Sequence, residues 1–363
     1  MRLAINARFL CQPLSGVQRF GREIVAALDA LLLADAGLRR RLGPVVAYAP
    51  EGAEDPGWRA VALRVVPGGQ GHLWEQGALY RAARDAVLLS PGNAGPLRHR
   101  AQVLVLHDAN LWEIPEAYGW RYRALHRVMR PRLARRSAGL VTVSRYSARQ
   151  LAGVLGVAEA RFSVVPNAAE HVLRVRAEPG VLAEWGLRRG GYLLCVGNRS
   201  PNKNLARLVA AHGMAGDLPP LVMAGGVAPG LAAGPSVRGL GRVSDGALRA
   251  LYEGACGFVF PSLHEGFGIP PLEAMELGCP VLAARAGALP EVLGDAVSWC
   301  DPLSVADMAR GMRVLAGMDG EERMRVVAGA KARAEGFRWT RSAAALVEVV
   351  EGVRRAEALE ERV

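Results

Sequence analysis

The chain has 363 residues, of which 51% are hydrophobic and 22% charged, and this length predicts two soluble domains rather than a single hydrophobic core. Its 45 basic and 34 acidic residues leave a net charge of +11, which favours anionic partners such as nucleotide phosphates, nucleic acid or an anionic membrane surface. Nucleic-acid binding is the least favoured of these, because aromatic residues make up 6% of the chain and the basic residues are scattered.

The N-terminal sequence and the cysteines predict a cytoplasmic protein. MRLAINARFL lacks the apolar stretch of a signal peptide, and no run of about 18 apolar residues predicts a membrane-spanning helix. The five cysteines form no C-x-x-C pair, so neither a disulfide framework nor a zinc site is expected. Cys195, Cys279 and Cys300 lie among apolar neighbours and are expected to be buried and inert.

The first part of the chain alternates short apolar runs with longer helical patterns, as expected for a parallel sheet covered by helices. Strands are predicted at residues 2–6, 44–49, 61–66, 87–90, 101–106, 139–143 and 161–165. Helices are predicted at residues 17–33, 72–86, 118–137 and 147–155, with a polar linker near 168–185.

A second series of the same kind follows the linker. Strands are predicted at residues 192–196, 221–224, 237–240, 257–260, 281–284 and 297–300. Helices are predicted at residues 205–214, 244–254, 271–277, 304–316 and 320–334, with a final helix after Trp339 that Thr340 caps. Two such series predict an α/β protein with two doubly wound domains that face one another, and ligands of such sheets bind at the carboxyl ends of the strands.

The segment PSLHEGFGIPPLEAMELGCPVLAA, residues 261–284, is the sharpest candidate for a binding site. Gly266 and Gly268 allow the backbone to approach a ligand closely, and the start of the helix that follows favours an anion. Glu265 and Glu273, eight positions apart, offer carboxylates to the hydroxyls of a sugar or a ribose. Alternatively, Glu273 only favours its helix N-terminus and Glu265 is solvated.

A second candidate is GYLLCVGNRSPNKNL, residues 191–205. Arg199 and Lys203 follow a strand end, where fixed cations would stabilise the negative charge that develops on a diphosphate leaving group. The alternative is a solvated turn in which Asn198 and Asn202 are turn formers.

Two residues of the first series are further candidates, one at a helix start and one at a strand end. Gly16 opens a helix after the first strand, but a full G-x-G-x-x-G pattern is missing. His107 ends an apolar strand, where it could bind a sugar hydroxyl or transfer a proton, or simply hydrogen-bond the backbone. A metal site is not expected, because the seven histidines are scattered and no H-x-x-H occurs.

The predicted helix WRYRALHRVMRPRLARRS, residues 120–137, carries seven arginines with interleaved Trp, Tyr and Leu. Basic amphipathic helices bind anionic membranes or anionic acceptors, although a solvated basic face explains the same pattern.

Taken in their order, SGVQRF, LHD, VTVSRYSARQL, VVPN, VGNRSPNKNL, HEGFGIPPLEAMELGCPV and ALPEVLGDAV resemble the retaining glycosyltransferases of family 4, which have the GT-B fold. The resemblance implies an N-terminal acceptor-side domain at residues 1–170 and a nucleotide-sugar-binding domain at 171–338. A helix at 339–363 would cross back to the N-terminal domain. One departure is the first turn, where Gly16 stands alone and many members of the family have two glycines.

The family's residue roles transfer to matching positions of this chain. The resemblance implies that Glu265 lies near the transferred sugar, that Glu273 holds the ribose and that His107 contacts the sugar near the reacting carbon. Arg199 and Lys203 would bind the diphosphate, and no metal is expected. The implied donor-binding set also contains Gly16, Gly266, Phe267, Gly268 and Leu272, with Gly239 and Val243 near the base.

The strand end LHD together with GNRSPNKN is similar to bacterial mannosyltransferases that build cell-surface polysaccharide. The resemblance therefore implies a retaining hexosyltransferase, with mannose from GDP-mannose as the first donor. Its acceptor would be a glycan, a lipid-linked glycan or a small molecule, and the basic helix would bring the protein to the inner face of the membrane. The alternatives are an epimerase or hydrolase that acts on nucleotide sugars, and a non-catalytic protein that binds them.

Overall fold

The computed structural model describes residues 2–226, 230–231, 233–234 and 236–360. The chain divides into two compact units, Met1–Asn167 together with Trp339–Val363, and Ala168–Arg338. Each unit is built on its own sheet, and each is described separately below.

The sheet of the first unit has seven parallel strands in the order β3-β2-β1-β4-β5-β6-β7. The strands are β1 (Arg2–Asn6), β2 (Val45–Ala49), β3 (Val61–Val65), β4 (Ala86–Ser90), β5 (Gln102–Val105), β6 (Gly139–Thr142) and β7 (Phe162–Val164). Strands β2, β4, β5 and β6 are buried along their whole length, which explains their continuous apolar runs.

The helices of the first unit are α1 (Gly16–Ala34), α2 (Ala36–Leu42), α3 (Gly71–Trp74), α4 (Tyr80–Ala83), α5 (Asn110–Glu113), α6 (Trp120–Arg136) and α7 (Arg145–Leu155). A π-helical segment, Glu75–Leu79, joins α3 to α4. Short 3₁₀ helices lie at Arg8–Cys11, Pro115–Ala117 and Glu159–Arg161.

The sheet of the second unit also has seven strands, in the order β10-β11-β9-β8-β12-β13-β14. They are β8 (Leu193–Gly197), β9 (Leu221–Gly225), β10 (Ala233–Gly234), β11 (Val237–Gly241), β12 (Gly257–Phe260), β13 (Val281–Ala284) and β14 (Ser298–Cys300). All are parallel except the two-residue edge strand β10, which runs antiparallel to β11. The expected doubly wound α/β architecture is therefore confirmed in both units.

The helices of the second unit are α8 (Val181–Glu184), α9 (Leu205–Ala215), α10 (Asp245–Gly254), α11 (Ile269–Glu276), α12 (Leu289–Leu293), α13 (Val305–Ala316) and α14 (Gly320–Ala334). Short 3₁₀ helices lie at Glu170–Leu173 and Pro201–Lys203. Cys195, Cys279 and Cys300 are buried as expected, and burial raises the pKa of each thiol to about 12, so all three stay protonated.

The structure corrects four local predictions. The helix predicted at 72–86 is interrupted by the π-helical segment and ends at Ala83. Helix α2 was not predicted; its signal is Asp35, whose carboxylate caps it by accepting a 2.9 Å hydrogen bond from Leu38 N. The predicted linker at 168–185 instead carries two short helices inside the second unit.

The fourth correction concerns the last helix, α15 (Trp339–Glu360), which begins at Trp339, so Thr340 lies inside its first turn and does not cap it. Helix α15 packs on α1 in the first unit. The Trp339 ring is 1% exposed and meets Phe20 edge-on, with 5.9 Å between the ring centroids. Phe20 in turn contacts the His107 ring at 4.9 Å. These edge-to-face contacts among Trp339, Phe20 and His107, here called the aromatic stack, join α15 to α1 and to the loop after β5.

We expect Trp339→Ala to lower the free energy of unfolding by about 3–5 kcal/mol, because it empties a buried aromatic site. Trp120→Ala is the matched control, since that ring is 71% exposed and its loss should change stability by less than about 0.5 kcal/mol. Urea denaturation compares the two variants. Equal effects would contradict the structural role of the aromatic stack.

Candidate functional site

The loops after β8 and β12 meet at the point where the strand order of the second sheet reverses. Strands β8 and β12 are neighbours at the centre of the sheet, and the chain continues outward from them in opposite directions. Ligands of open α/β sheets bind in the crevice at such a switch point. Both loops predicted to bind phosphate and sugar, at 198–204 and 261–268, therefore lie at this point.

Lys203 and Glu265 form an ion pair between these two loops. Lys203 Nζ lies 2.5 Å from Glu265 Oε1, and the side chains are 18% and 13% exposed. The ammonium group also lies 5.0 Å from the centroid of the Phe260 ring at the end of β12. Because both charges are largely shielded from water, each depends on the other more strongly than a surface pair would.

The loop that carries Glu265 is fixed by backbone contacts on both sides. Asn202 accepts a 2.7 Å bond from Leu263 N at its backbone carbonyl and donates a 3.0 Å bond from its side chain to His264 O. On the other side, Ala288 N donates to Glu265 O at 2.9 Å. Gly287 has a φ of +58°, and a Cβ there would lie 2.6 Å from Glu265 O, so only glycine fits against this loop.

Helix α11 begins directly after this loop and exposes few backbone donors. Gly268 is its N-cap with a φ of +96°, and Pro270 and Pro271 occupy the next turn without N–H groups. By helix geometry, the amides that lack an intrahelical acceptor are therefore those of Gly268 and Ile269. These two donors can receive an anion at the start of α11.

Glu273 lies on α11 with both carboxylate oxygens engaged. Oε1 is 3.0 Å from His171 Nε2, and Oε2 accepts a 3.1 Å bond from the Tyr252 hydroxyl. Burial, followed by the charge of Glu273, raises the pKa of Tyr252 far above its usual value, so its hydroxyl keeps the proton that it donates. His171 and Tyr252 were not singled out from the sequence, and no short motif could have pointed to them.

The other predicted donor residues are spread over the second unit. Arg199 is exposed in the loop after β8, close to Gly226. Gly239 is exposed in β11, whereas Val243 packs on the apolar cluster between α8 and α10. The side chains of Phe267 and Leu272 are buried, so only the backbone of these two residues could face a ligand.

His107 is buried in the first unit, at the end of β5. Its Nε2 donates to Pro91 O at 2.8 Å, which leaves Nδ1 as an acceptor in the neutral ring. Burial lowers the pKa of His107, so the ring is neutral near pH 7. His107 therefore hydrogen-bonds the backbone through Nε2, which was one of the roles expected from the sequence. Its Nδ1 can still accept a hydrogen bond from a hydroxyl.

Gly16 is exposed at the start of α1, also in the first unit. The Ser15 side chain caps no helix amide and instead bonds Gln18 Oε1. The first-turn amides of this 19-residue helix therefore receive no cap from Ser15.

Two family models match the chain over most of its length. The model described as "Glycosyltransferase Family 4" matches residues 37–171, and that described as "Glycosyl transferases group 1" matches residues 187–333. The chain belongs to glycosyltransferase family 4. The second match contains the Lys203–Glu265 pair and the whole of α11, so the switch point of the second sheet lies within the part shared with the family.

A curated relative and two solved structures are similar to this family member. O-antigen chain mannosyltransferase B of Escherichia coli is 32% identical over 257 residues, which are 64% of this chain and 66% of that protein, just under two thirds of its length. Sucrose-phosphate synthase from Thermosynechococcus elongatus superposes with a TM-score of 0.73 at 15% identity, over 98% of this chain and 100% of that one.

The second structure is Anabaena Alr3699/HepE in complex with UDP and glucose, with a TM-score of 0.70 at 17% identity, over 97% of this chain and 100% of that one. At these identities the likeness to both structures shows the fold, which is GT-B.

No helix among the residues that the structure describes is long and apolar enough to cross a membrane.

We expect Gly287→Ala to lower the free energy of unfolding by about 1–3 kcal/mol, because the new Cβ collides with the Glu265 backbone and the residue is held at positive φ. Gly329→Ala is the control: it lies inside α14 with nothing within 4 Å of the new Cβ, and it should stabilise by about 0.5–1 kcal/mol. Urea denaturation measures both. A Gly287→Ala variant as stable as the wild type would contradict the fixed position of this loop.

Proposed function

We propose that this chain is a retaining hexosyltransferase that takes a sugar from a nucleoside diphosphate donor held by its second unit. The single observation that carries the proposal is the Lys203–Glu265 ion pair at the switch point of the second sheet. A cation and a carboxylate held together there match the two ends of a sugar diphosphate, one charged and one rich in hydroxyls.

In the proposed complex, Lys203 leaves Glu265 for the diphosphate. The phosphate oxygens gain negative charge as the bond to the sugar breaks, and a largely buried ammonium stabilises that charge more than one in water. Arg199, exposed in the same loop, adds a second cation. We propose that these two side chains supply the positive charge for the leaving group without a metal ion.

The residue type at position 203 supports this role. Only two of the 45 basic residues of the sequence are lysines, Lys203 and Lys331. A lysine is a compact point charge with three donors, whereas an arginine is a planar fork. An ammonium can thus move between a carboxylate and a phosphate within one small site.

The two glutamates would hold the hydroxyl-bearing parts of the donor. Glu265, released by Lys203, can accept from hydroxyls of the transferred sugar. Each Glu273 oxygen accepts one bond, from His171 or Tyr252, and so keeps a lone pair for a ribose hydroxyl. The amides of Gly268 and Ile269 would face the phosphates.

Retention is proposed through departure and attack on one face of the sugar. In that pathway the acceptor hydroxyl gives its proton to the leaving phosphate, and no side chain forms a covalent intermediate. We propose that His107, through its Nδ1 acceptor, binds a hydroxyl of a sugar substrate. Mannose from GDP-mannose is the proposed donor, supported by the similarity to the O-antigen mannosyltransferase.

We expect Lys203→Ala to lower kcat by about 10²–10³-fold, because it removes a cation that acts on the developing charge. Lys331→Ala, the exposed lysine on α14, is the matched control and should retain the wild-type rate. Initial rates of mannose transfer from GDP-mannose, with an acceptor found by screening, provide the measurement. Equal rates for the two variants would remove Lys203 from the proposed mechanism.

A thermal-shift comparison of GDP-mannose with UDP-glucose tests the donor separately. At 100 times its dissociation constant, a ligand stabilises by about 2.7 kcal/mol, so the true donor should raise the unfolding midpoint clearly. A larger shift with UDP-glucose would replace mannose as the proposed sugar and leave the site unchanged.

A further inference from the structure

Arg130 is a buried arginine without a carboxylate partner. It lies on α6 in the first unit and is 3% exposed. Among the residues that the structure describes, its guanidinium makes one long hydrogen bond, 3.4 Å from Nη2 to the Tyr122 hydroxyl, and no salt bridge within 4.0 Å. Its Nε has no hydrogen-bond partner. Since an arginine cannot shed its proton, burying this charge unpaired is costly.

His126 stands one helical turn before Arg130 on the same face of α6 and is 1% exposed. Its Nε2 lies 3.1 Å from His72 Nε2, whereas its Nδ1 has no partner. Burial, followed by the charge of Arg130, lowers the pKa of His126 to about 3, so the ring remains neutral. Two polar atoms of one buried helix face, Arg130 Nε and His126 Nδ1, therefore lack partners.

The carboxylates near this face are already engaged by other groups. Glu75, in the π-helical segment, accepts from Asn6 Nδ2 at 2.9 Å and from Arg8 Nε at 3.1 Å, and its other oxygen lies 2.7 Å from His72 Nδ1. Asp108 accepts a 3.0 Å bond from Asn110 N. Neither acid forms a salt bridge with Arg130, so its positive charge is not neutralised by either of them.

Two tyrosines next to Arg130 reach the surface. Tyr118 and Tyr122 stack almost in parallel, with 5.5 Å between ring centroids and 10° between ring planes. Tyr122 is 40% exposed and Tyr118 is half-buried, while the hydroxyl of Tyr122 is the one that Arg130 contacts. The exposed part of this pair offers aromatic surface against which the apolar side of a sugar ring can lie.

We propose that Arg130 and His126 form a subsite for a phosphate group of the acceptor, with the Tyr118–Tyr122 pair lying against its sugar. The Arg130 guanidinium binds the phosphate oxygens through two parallel N–H donors. The neutral ring of His126 offers Nδ1 as an acceptor for a hydroxyl of the phosphate or of its sugar. This assignment rests on the proposed function in one respect, namely that the bound phosphate belongs to the acceptor. The subsite narrows the candidate acceptors to sugars that carry a phosphate group.

Calorimetric titration with inorganic phosphate tests the subsite in a Lys203→Ala background, in which the proposed donor site is weakened. The second substitution is either Arg130→Met or the control Arg127→Met, which removes the same charge from an exposed position of α6. We expect Arg130→Met to weaken phosphate binding by about tenfold or more, the range for a lost charge-assisted hydrogen bond. Arg127→Met should leave it within about twofold. Equal affinities of the two double variants would overturn the proposal.

Two further comparisons separate a failed subsite from a failed fold or a failed donor site. Arg130→Met should unfold at the same temperature as the wild type or higher, because it removes an unpaired buried charge. If it does not fold, Arg130→Lys keeps the charge without the fork, and wild-type phosphate affinity in that variant would overturn the proposal. If Lys203→Ala alone binds phosphate with the wild-type affinity, the assignment of Lys203 to the donor site is wrong. The subsite is then still tested by the comparison of Arg130→Met with Arg127→Met.

The source of the phosphate is resolved with two probes, mannose 1-phosphate in solution and farnesyl phosphate in detergent micelles. Loss of mannose 1-phosphate binding in Arg130→Met supports a soluble sugar phosphate as the acceptor class. Loss of farnesyl phosphate binding supports a lipid-linked one. Retention of both by Arg130→Met overturns the proposal.

Discussion

The ion pair between Lys203 and Glu265 is the contact on which the proposed chemistry depends. It joins the two loops at the centre of the second sheet, where the strand order reverses, and both charges are largely shielded from water. Breaking such a pair without replacing it leaves a charge uncompensated. A sugar diphosphate offers that replacement, with phosphates for the lysine and hydroxyls for the glutamate. The pair thus holds the two loops in an arrangement in which a sugar diphosphate can replace each partner of the pair.

Much of the frame around this contact could be predicted because apolar runs fix the ends of buried strands. The strands predicted at 257–260 and 281–284 and the helix at 320–334 agree with the structure to the residue, and so the loop after β12 was placed correctly. The family and the GT-B fold were also predicted correctly, from motifs that keep their order along the chain. The roles of the individual site residues and the identity of the donor remain predictions.

The remaining features depend on partners that are distant in the sequence. Glu265 is 62 residues from Lys203, and Glu273 is 102 residues from His171, so no local pattern reveals either pairing. Arg130 could not be singled out from the sequence, for a different reason. Seven arginines on the predicted helix 120–137 looked alike in the sequence, where a membrane-binding or solvated face explained them all. Burial, which depends on the surrounding fold, separates Arg130 from exposed neighbours such as Arg127.

The most direct test of the central claim uses the fact that the chain has two lysines. With lysine labelled with ¹³C at the ε carbon, the side chains of Lys203 and Lys331 give separate NMR signals, which the Lys331→Ala variant assigns. Titration with GDP should shift the Lys203 signal as its ammonium moves from Glu265 to the diphosphate, while the Lys331 signal stays in place. A Lys203 signal that does not move when GDP is saturating would contradict the proposed donor site.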